Sequence, residues 1–360
     1  MLKTAKKTAA HALGRLVLLV LICSLPTATD AAQRDDQDAF LKRAVYAENR
    51  LWVLTDAGGV SSISEGQEKR TKEILPERAA DLCATGGHPT VVTGGRMGGS
   101  AWTLRRHEAG AWSVVAAVPA NGDKLLAMAC TRDKATLLTS RRLIEFDGKQ
   151  QSAVVLSDQL GLGPVLVAST YATPDQFFVG LNAGEWGGGL LRIDRSSGKI
   201  GIVEKNTSGE LCGGPLNTSC DPVNGIVAEP GKPGCIAAAI GLVHMAPHGR
   251  VVEVCGDEVQ RIFYKPYGKN EPRANGRNEE PFSTVAFFRL ASDGETMQAV
   301  GIDGIYSLDG KGTEQFTPLP HFKDIGGIGV SFDIPHYVLV LTNINQRMSM
   351  SGAVPLMVPR

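Results

Sequence analysis

The feature that most constrains this chain is a phrase that recurs along it: an apolar β run, a tight turn, then a second short strand. It is clearest in Leu51–Val60, continuing through Ser61, Ser62 and Ile63, and in Phe177–Trp186, continuing to Asp194. Met297–Tyr306, continuing to Gly310, is a third clear copy, and weaker ones run Thr90–Arg105, Ala135–Asp147, Cys235–Met245 and Tyr337–Met350. Where no insert intervenes, the copies sit about 38 to 46 residues apart, the spacing of four-stranded propeller blades. One small sheet cannot bury both faces alone; stacking it between neighbours does, and closing the ring protects the innermost edges. The spacing therefore predicts an all-β fold, a β-propeller of about seven four-stranded blades, with six or eight as the adjacent counts. A β-solenoid needs a shorter repeat and a β-sandwich needs none. Apolar–polar alternation at Val91/Thr93 and Leu143/Glu145 reads as half-buried strand. Glycine supports many tight turns: 42 of 360 residues, against an ordinary share of about 7%.

The phrase in Leu51–Ile63 and Phe178–Asp194, and partly in Val300–Asp309, resembles the propeller repeats of periplasmic sensor regions in two-component regulators. The resemblance covers about half the chain. It implies the architecture and almost no chemistry. The sequence carries neither the membrane span nor the kinase region of those regulators, so signalling by direct attachment is not expected.

The N-terminus reads as a secretory leader. Lys3, Lys6, Lys7 and Arg15 precede an apolar run from Leu16 to Leu25, followed by Pro26 and small residues. Such a run, about ten residues long, suits a signal-peptide core and falls short of the ~20 needed to span a bilayer. Cleavage after Ala31 is the preferred reading and after Ala28 the alternative, giving a signal peptide over 1–31 and a single propeller domain over 38–360. The expected location is periplasmic or secreted. The chain has 37 basic and 37 acidic side chains, with four of the basic and one of the acidic in the leader. The mature chain is thus slightly acidic, which argues against nucleic acid and against an anionic membrane surface as partners.

Six cysteines follow the leader: Cys83, Cys130, Cys212, Cys220, Cys235 and Cys255. An even count in an oxidising compartment points to disulfides, and six cysteines allow about fifteen pairings. The favoured pairs are Cys212–Cys220 within one short loop, Cys235–Cys255 within one blade, and Cys83–Cys130 on the inner strands of successive blades. Two inserts break the repeat, near 205–221 and near 265–281. The second lacks an apolar period and reads as a solvated or partner-docking loop.

No catalytic residue is assigned, because nucleophile, zinc-protease, phosphate-loop and EF-hand patterns are missing from the sequence; no metal or cofactor is expected. The loop Asn182–Gly189 is the strongest ligand candidate, with Trp186 as a flat apolar surface and Asn182 and Glu185 as polar partners. Four glycines in it leave the backbone free to approach a ligand. His244 and, in the Gly-rich loop Gly94–Ser100, Arg96 complete the candidate set. His88, His107, His321 and His336 look isolated. Function follows as an exported, non-catalytic propeller that binds a protein, small molecule or glycan. One alternative is a carbohydrate-binding propeller using Trp52, Trp102 and Trp186. Another is a metal-dependent lactonase-like hydrolase, for which Glu229 and Asp333 are the only evident acids near inner-strand positions.

Overall fold

The computed structural model describes residues 41–94, 99–148, 150–163, 165–206, 213–268, 283–309, 314–319, 328–342 and 355–360. They form seven antiparallel sheets, six of four strands and one of three among the described residues. Blade 1 is β1 (Leu41–Ala47), β2 (Arg50–Thr55), β3 (Val60–Ser64) and β4 (Thr71–Lys72). Blade 2 is β5 (Ala79–Thr85), β6 (His88–Thr93), β7 (Ala101–Glu108) and β8 (Ala111–Pro119). Blade 3 is β9 (Leu125–Cys130), β10 (Ala135–Thr139), β11 (Arg142–Phe146) and β12 (Gln151–Val155). Blade 4 is β13 (Leu166–Ala172), β14 (Gln176–Asn182), β15 (Gly188–Asp194) and β16 (Ile200–Val203). Blade 5 is β17 (Val223–Ala228), β18 (Cys235–His244), β19 (Ala246–Cys255) and β20 (Glu258–Phe263). Blade 6 is β21 (Phe287–Ser292), β22 (Thr296–Gly301), β23 (Gly304–Asp309) and β24 (Glu314–Pro318). Blade 7 is β25 (Ile328–Ser331), β26 (Tyr337–Thr342) and β27 (Pro355–Pro359).

The first strand of each blade touches the first strand of the next, β1 to β5, β9, β13, β17, β21 and β25, and β25 returns to β1. The circle is closed. Each repeated phrase in the sequence falls on the second strand of a blade and, where the copy extends past the turn, on the third. The second strand is packed on both faces by neighbouring blades, so it reads as a continuous apolar run. Val91, Val92 and Thr93 are all fully buried, and the alternation expected at Val91/Thr93 does not mark an exposed face. Exposure belongs instead to outer strands such as β12 and β24.

In six blades the first strand skips one residue in register against the second, at Lys42, Ala80, Leu126, Ala168, Asn224 and Phe288. Such bulges sharpen local twist where strands crowd an axis. The residues just past them, Arg43, Asp81, Ala127, Ser169, Gly225 and Arg289, share one level of the ring. Blades 7 and 1 meet through Ala44, Val53 and Leu339, flanked by Leu41, Leu51 and Ile334.

Two disulfides lie among the described residues. Cys83–Cys130 joins the first strands of blades 2 and 3, and Cys235–Cys255 joins β18 to β19. Cys212 lies outside the described residues, and the Cys212–Cys220 expectation with it. The leader over 1–31 and residues 269–282 of the second insert lie outside them too. Among the described residues no helix is long and apolar enough to cross a membrane.

Candidate functional site

Consecutive antiparallel strands sort the connections by rim. Turns from first to second and from third to fourth strand share one rim. Turns from second to third strand, and the links between blades, share the other. This second rim gathers the described ends of the loop after β6 (94 and 99–100), the turn 183–187, residues 204–206 and 213–222, the hairpin tip at Met245, and residues 264–268 and 283–286. Both inserts and both glycine-rich loops therefore leave and rejoin the sheets on one side of the ring.

On that rim Glu185 and His244 come together, with His244 Nδ1 3.0 Å from Glu185 Oε2. Glu185 sits in a single 3-10 turn, Gly184–Trp186, and His244 ends β18. The pair thus bridges blades 4 and 5. Trp186 beside it is 78% exposed and Met245 is 98% exposed, the latter in a left-handed conformation at φ 59°. Two large apolar side chains held out in water beside a carboxylate–imidazole contact make a surface suited to a partner.

The other expected site residues differ. Asn182 is tied into the scaffold: its Nδ2 donates to Asn224 Oδ1 at 2.7 Å, and its Oδ1 accepts from Gly184 N at 2.8 Å. Asn224 passes the chain on, donating to Gly241 O and Phe287 O. Arg96 lies outside the described residues. The glycines of the loop serve the neighbouring insert. A Cβ on Gly187 would stand 2.4 Å from Thr218 O, and one on Gly189 would stand 2.9 Å from the Thr218 side chain. The insert docks through Gly188 N to Thr218 O at 3.0 Å and Gly189 N to Asp221 O at 2.8 Å.

Asp221 anchors that insert. Its Oδ2 accepts from Asn217 N and from Arg250, whose Nε also donates to Pro215 O. Burial pushes the Asp221 carboxyl up, against the pull of Arg250. His248 is beside this group, its pKa lowered by burial and by Arg250 against the pull of Asp221. His244 and His248 thus have different partners. Trp52 and Trp102 are fully buried in the blade cores, because they lie on second and third strands covered from both sides. Only Trp186 of the proposed stacking set reaches solvent.

The acids considered for a hydrolase also separate. Glu229 keeps company with Glu253 and Lys232; burial and Glu253 raise its pKa while Lys232 lowers it. Asp333 is raised by burial and lowered by Ser331, Arg289, Arg43 and Arg360. At the inner ring both Asp333 and Asp81 stand beside arginines, Arg289 and Arg43.

The opposite rim holds a cluster the sequence did not reveal. Glu48, in a left-handed turn at φ 53°, accepts from His88 Nδ1 on Oε1 and from His107 Nδ1 on Oε2, both at 2.7 Å. His107 is buried against Trp52 and Trp112, with ring centroids at 4.7 and 5.3 Å. His88 and His107 are therefore not isolated; their carboxylate comes from the neighbouring blade.

No family profile matches the sequence, and no curated protein matches it. Solved structures do. The chain is similar to YCF48 bound to D1 peptide, at 12% identity over 84% of this chain and 89% of that one, with a TM-score of 0.51. The computationally designed Ika8 protein matches at 9% identity over 84% of this chain and 81% of that one, with a TM-score of 0.52. The extracellular domain of the hybrid two component system BT4673 from B. thetaiotaomicron matches at 14% identity and a TM-score of 0.47, over 89% of this chain. This chain spans 38% of the BT4673 chain. At these identities the likeness is one of architecture, and by that architecture the chain is a seven-bladed β-propeller.

Proposed function

We propose that this chain is an exported propeller that binds a peptide segment of a partner protein on the rim where the inserts gather. The observation that carries the reading is the exposed pair Trp186 and Met245 flanking the Glu185–His244 contact between blades 4 and 5. Aromatic and methionine side chains are enriched at interfaces, and Met adapts its shape to a partner. A propeller of this architecture, YCF48, has been solved with a peptide bound, which supports the reading by analogy of fold only. Export is supported by the leader-like N-terminus and by two disulfides, which persist in oxidising compartments.

Peptide display against the purified chain tests the binding role. Selected peptides should lose most of their affinity on Trp186→Ala with Met245→Ser, and keep it on Val114→Ser, a change at an exposed apolar residue of the outer strand β8. Peptides indifferent to the double change would overturn the site. A glycan array read on the same variants separates the carbohydrate alternative, since Trp186 alone could stack a sugar. Export is checked by fractionating cells that express the full chain: mature protein retained in the cytoplasm would contradict it.

A further inference from the structure

Arg43 and Arg289 occupy the same level of the inner ring, each just past the register skip in its blade's first strand. Groups at this level aim at the next blade. Gly225 shows the direction, since a Cβ there would meet Leu290 N at 2.6 Å and Arg289 Cα at 3.0 Å. Arg43 follows it, its Nε 2.8 Å from Asp81 Oδ1 in blade 2. Asp81 follows it in turn, its Oδ2 accepting from Met128 N in blade 3 at 3.1 Å. Arg289 is the exception. It is half-buried, and its guanidinium donates no hydrogen bond to any described residue. Blade 7, which it faces, has Gly329 and Val330 in the middle of its first strand.

Charges of both signs act on Arg289. Burial lowers its pKa, Arg43 opposes its charge and Asp333 supports it. Arg360 adds a third guanidinium near Asp333, hydrogen-bonded to Gln298 Oε1 at 3.3 Å and Phe332 O at 3.0 Å. Asp333 is thus shared by three guanidinium groups, Arg289, Arg43 and Arg360. A half-buried guanidinium whose donors meet no acceptor among the described residues remains open to one brought by a ligand. A carboxylate can accept two parallel N–H bonds from such a fork. A phosphate dianion would instead set two charges beside Asp81 and Asp333.

We propose that Arg289, flanked by Arg43, binds the carboxylate of a small ligand at the ring axis beside blade 7. This site is separate from the rim surface around Trp186, and either can fail without the other.

The test is acetate titrated into the full chain at constant ionic strength, read by NMR on the Nε–H signals of isotope-labelled arginine. Arg289→Lys assigns the signal, with Arg289→Gln as the second choice if the lysine variant does not fold. The Arg289 signal should shift and saturate at millimolar acetate. The Arg195 signal should stay still, because Glu145 already holds that guanidinium through two bonds of 2.8 Å. Acetamide, the same shape without the charge, should shift neither. A response that does not saturate, that appears equally at Arg195, or that acetamide reproduces would overturn the proposal.

Discussion

His107 Nδ1 stands 2.7 Å from Glu48 Oε2, joining the third strand of blade 2 to the first turn of blade 1 across a separation of 59 residues. His88 holds the other oxygen of the same carboxylate. Burial pushes Glu48 up, but the hydrogen bonds and charges of His88 and His107 prevail and hold it below its ordinary value of 4.5. A carboxyl lowered on folding contributes stability that is complete above its unfolded pKa and is lost as pH falls through the folded one. Thermal melts from pH 7 to pH 3 should show this loss, and Glu48→Gln should flatten it. At neutral pH the same change should cost about 1.5–3 kcal/mol, the range for a hydrogen bond to a charged group. A variant as acid-sensitive as the parent would contradict the assignment.

The Cys83–Cys130 bond closes a loop with a sequence separation of 47, and Cys235–Cys255 one of 20. On the chain-entropy account these contribute about 4 and about 3 kcal/mol. Replacing each pair by alanine and measuring urea unfolding should rank them in that order. Peptide mapping without reductant should recover both links.

Gly187 sits at φ 83°, and a Cβ on it would meet Ser219 C and Thr218 O at 2.4 Å. Gly187→Ala should therefore cost about 1–3 kcal/mol, from strain and overpacking together. Hydrogen exchange should rise at Gly188 and Gly189, whose N–H groups bond to the insert. Unchanged protection there would show that the insert does not depend on this contact.

Trp186 is exposed while Trp52 and Trp102 are wholly buried. Acrylamide should quench Trp186 first, ahead of the half-buried Trp112, and Trp186→Phe should remove the most accessible component of the emission while leaving the melting temperature in place. Trp52→Ala, by contrast, should cost about 3–5 kcal/mol, since it also breaks the bond from Nε1 to Ala47 O at 3.0 Å.

What was legible in the sequence is what local pattern encodes. Leu51–Ile63 and Phe177–Asp194 announce a paired second and third strand within one stretch of chain, and the spacing of the copies gives the blades. Cys83 and Cys130 could be paired because register places both on first strands. The clusters were not legible, because their members are far apart in sequence. Glu48 reaches His88 over 40 residues, and Arg43 reaches Asp81 over 38, with no local motif to mark either. Trp52 and Trp102 were misread as stacking platforms because an apolar run does not show that both faces of its strand are covered. The glycines at 187–189 read as room for a ligand, and what lies against them is the chain's own insert.

The Cys83–Cys130 link encloses the outer three strands of blade 2, β6 to β8, together with the segment 94–100 on the decorated rim. A protease that cuts within that segment leaves two fragments still covalently joined. Nicked molecules would run as one band until reductant is added, and the severed blade would keep its place in the circle.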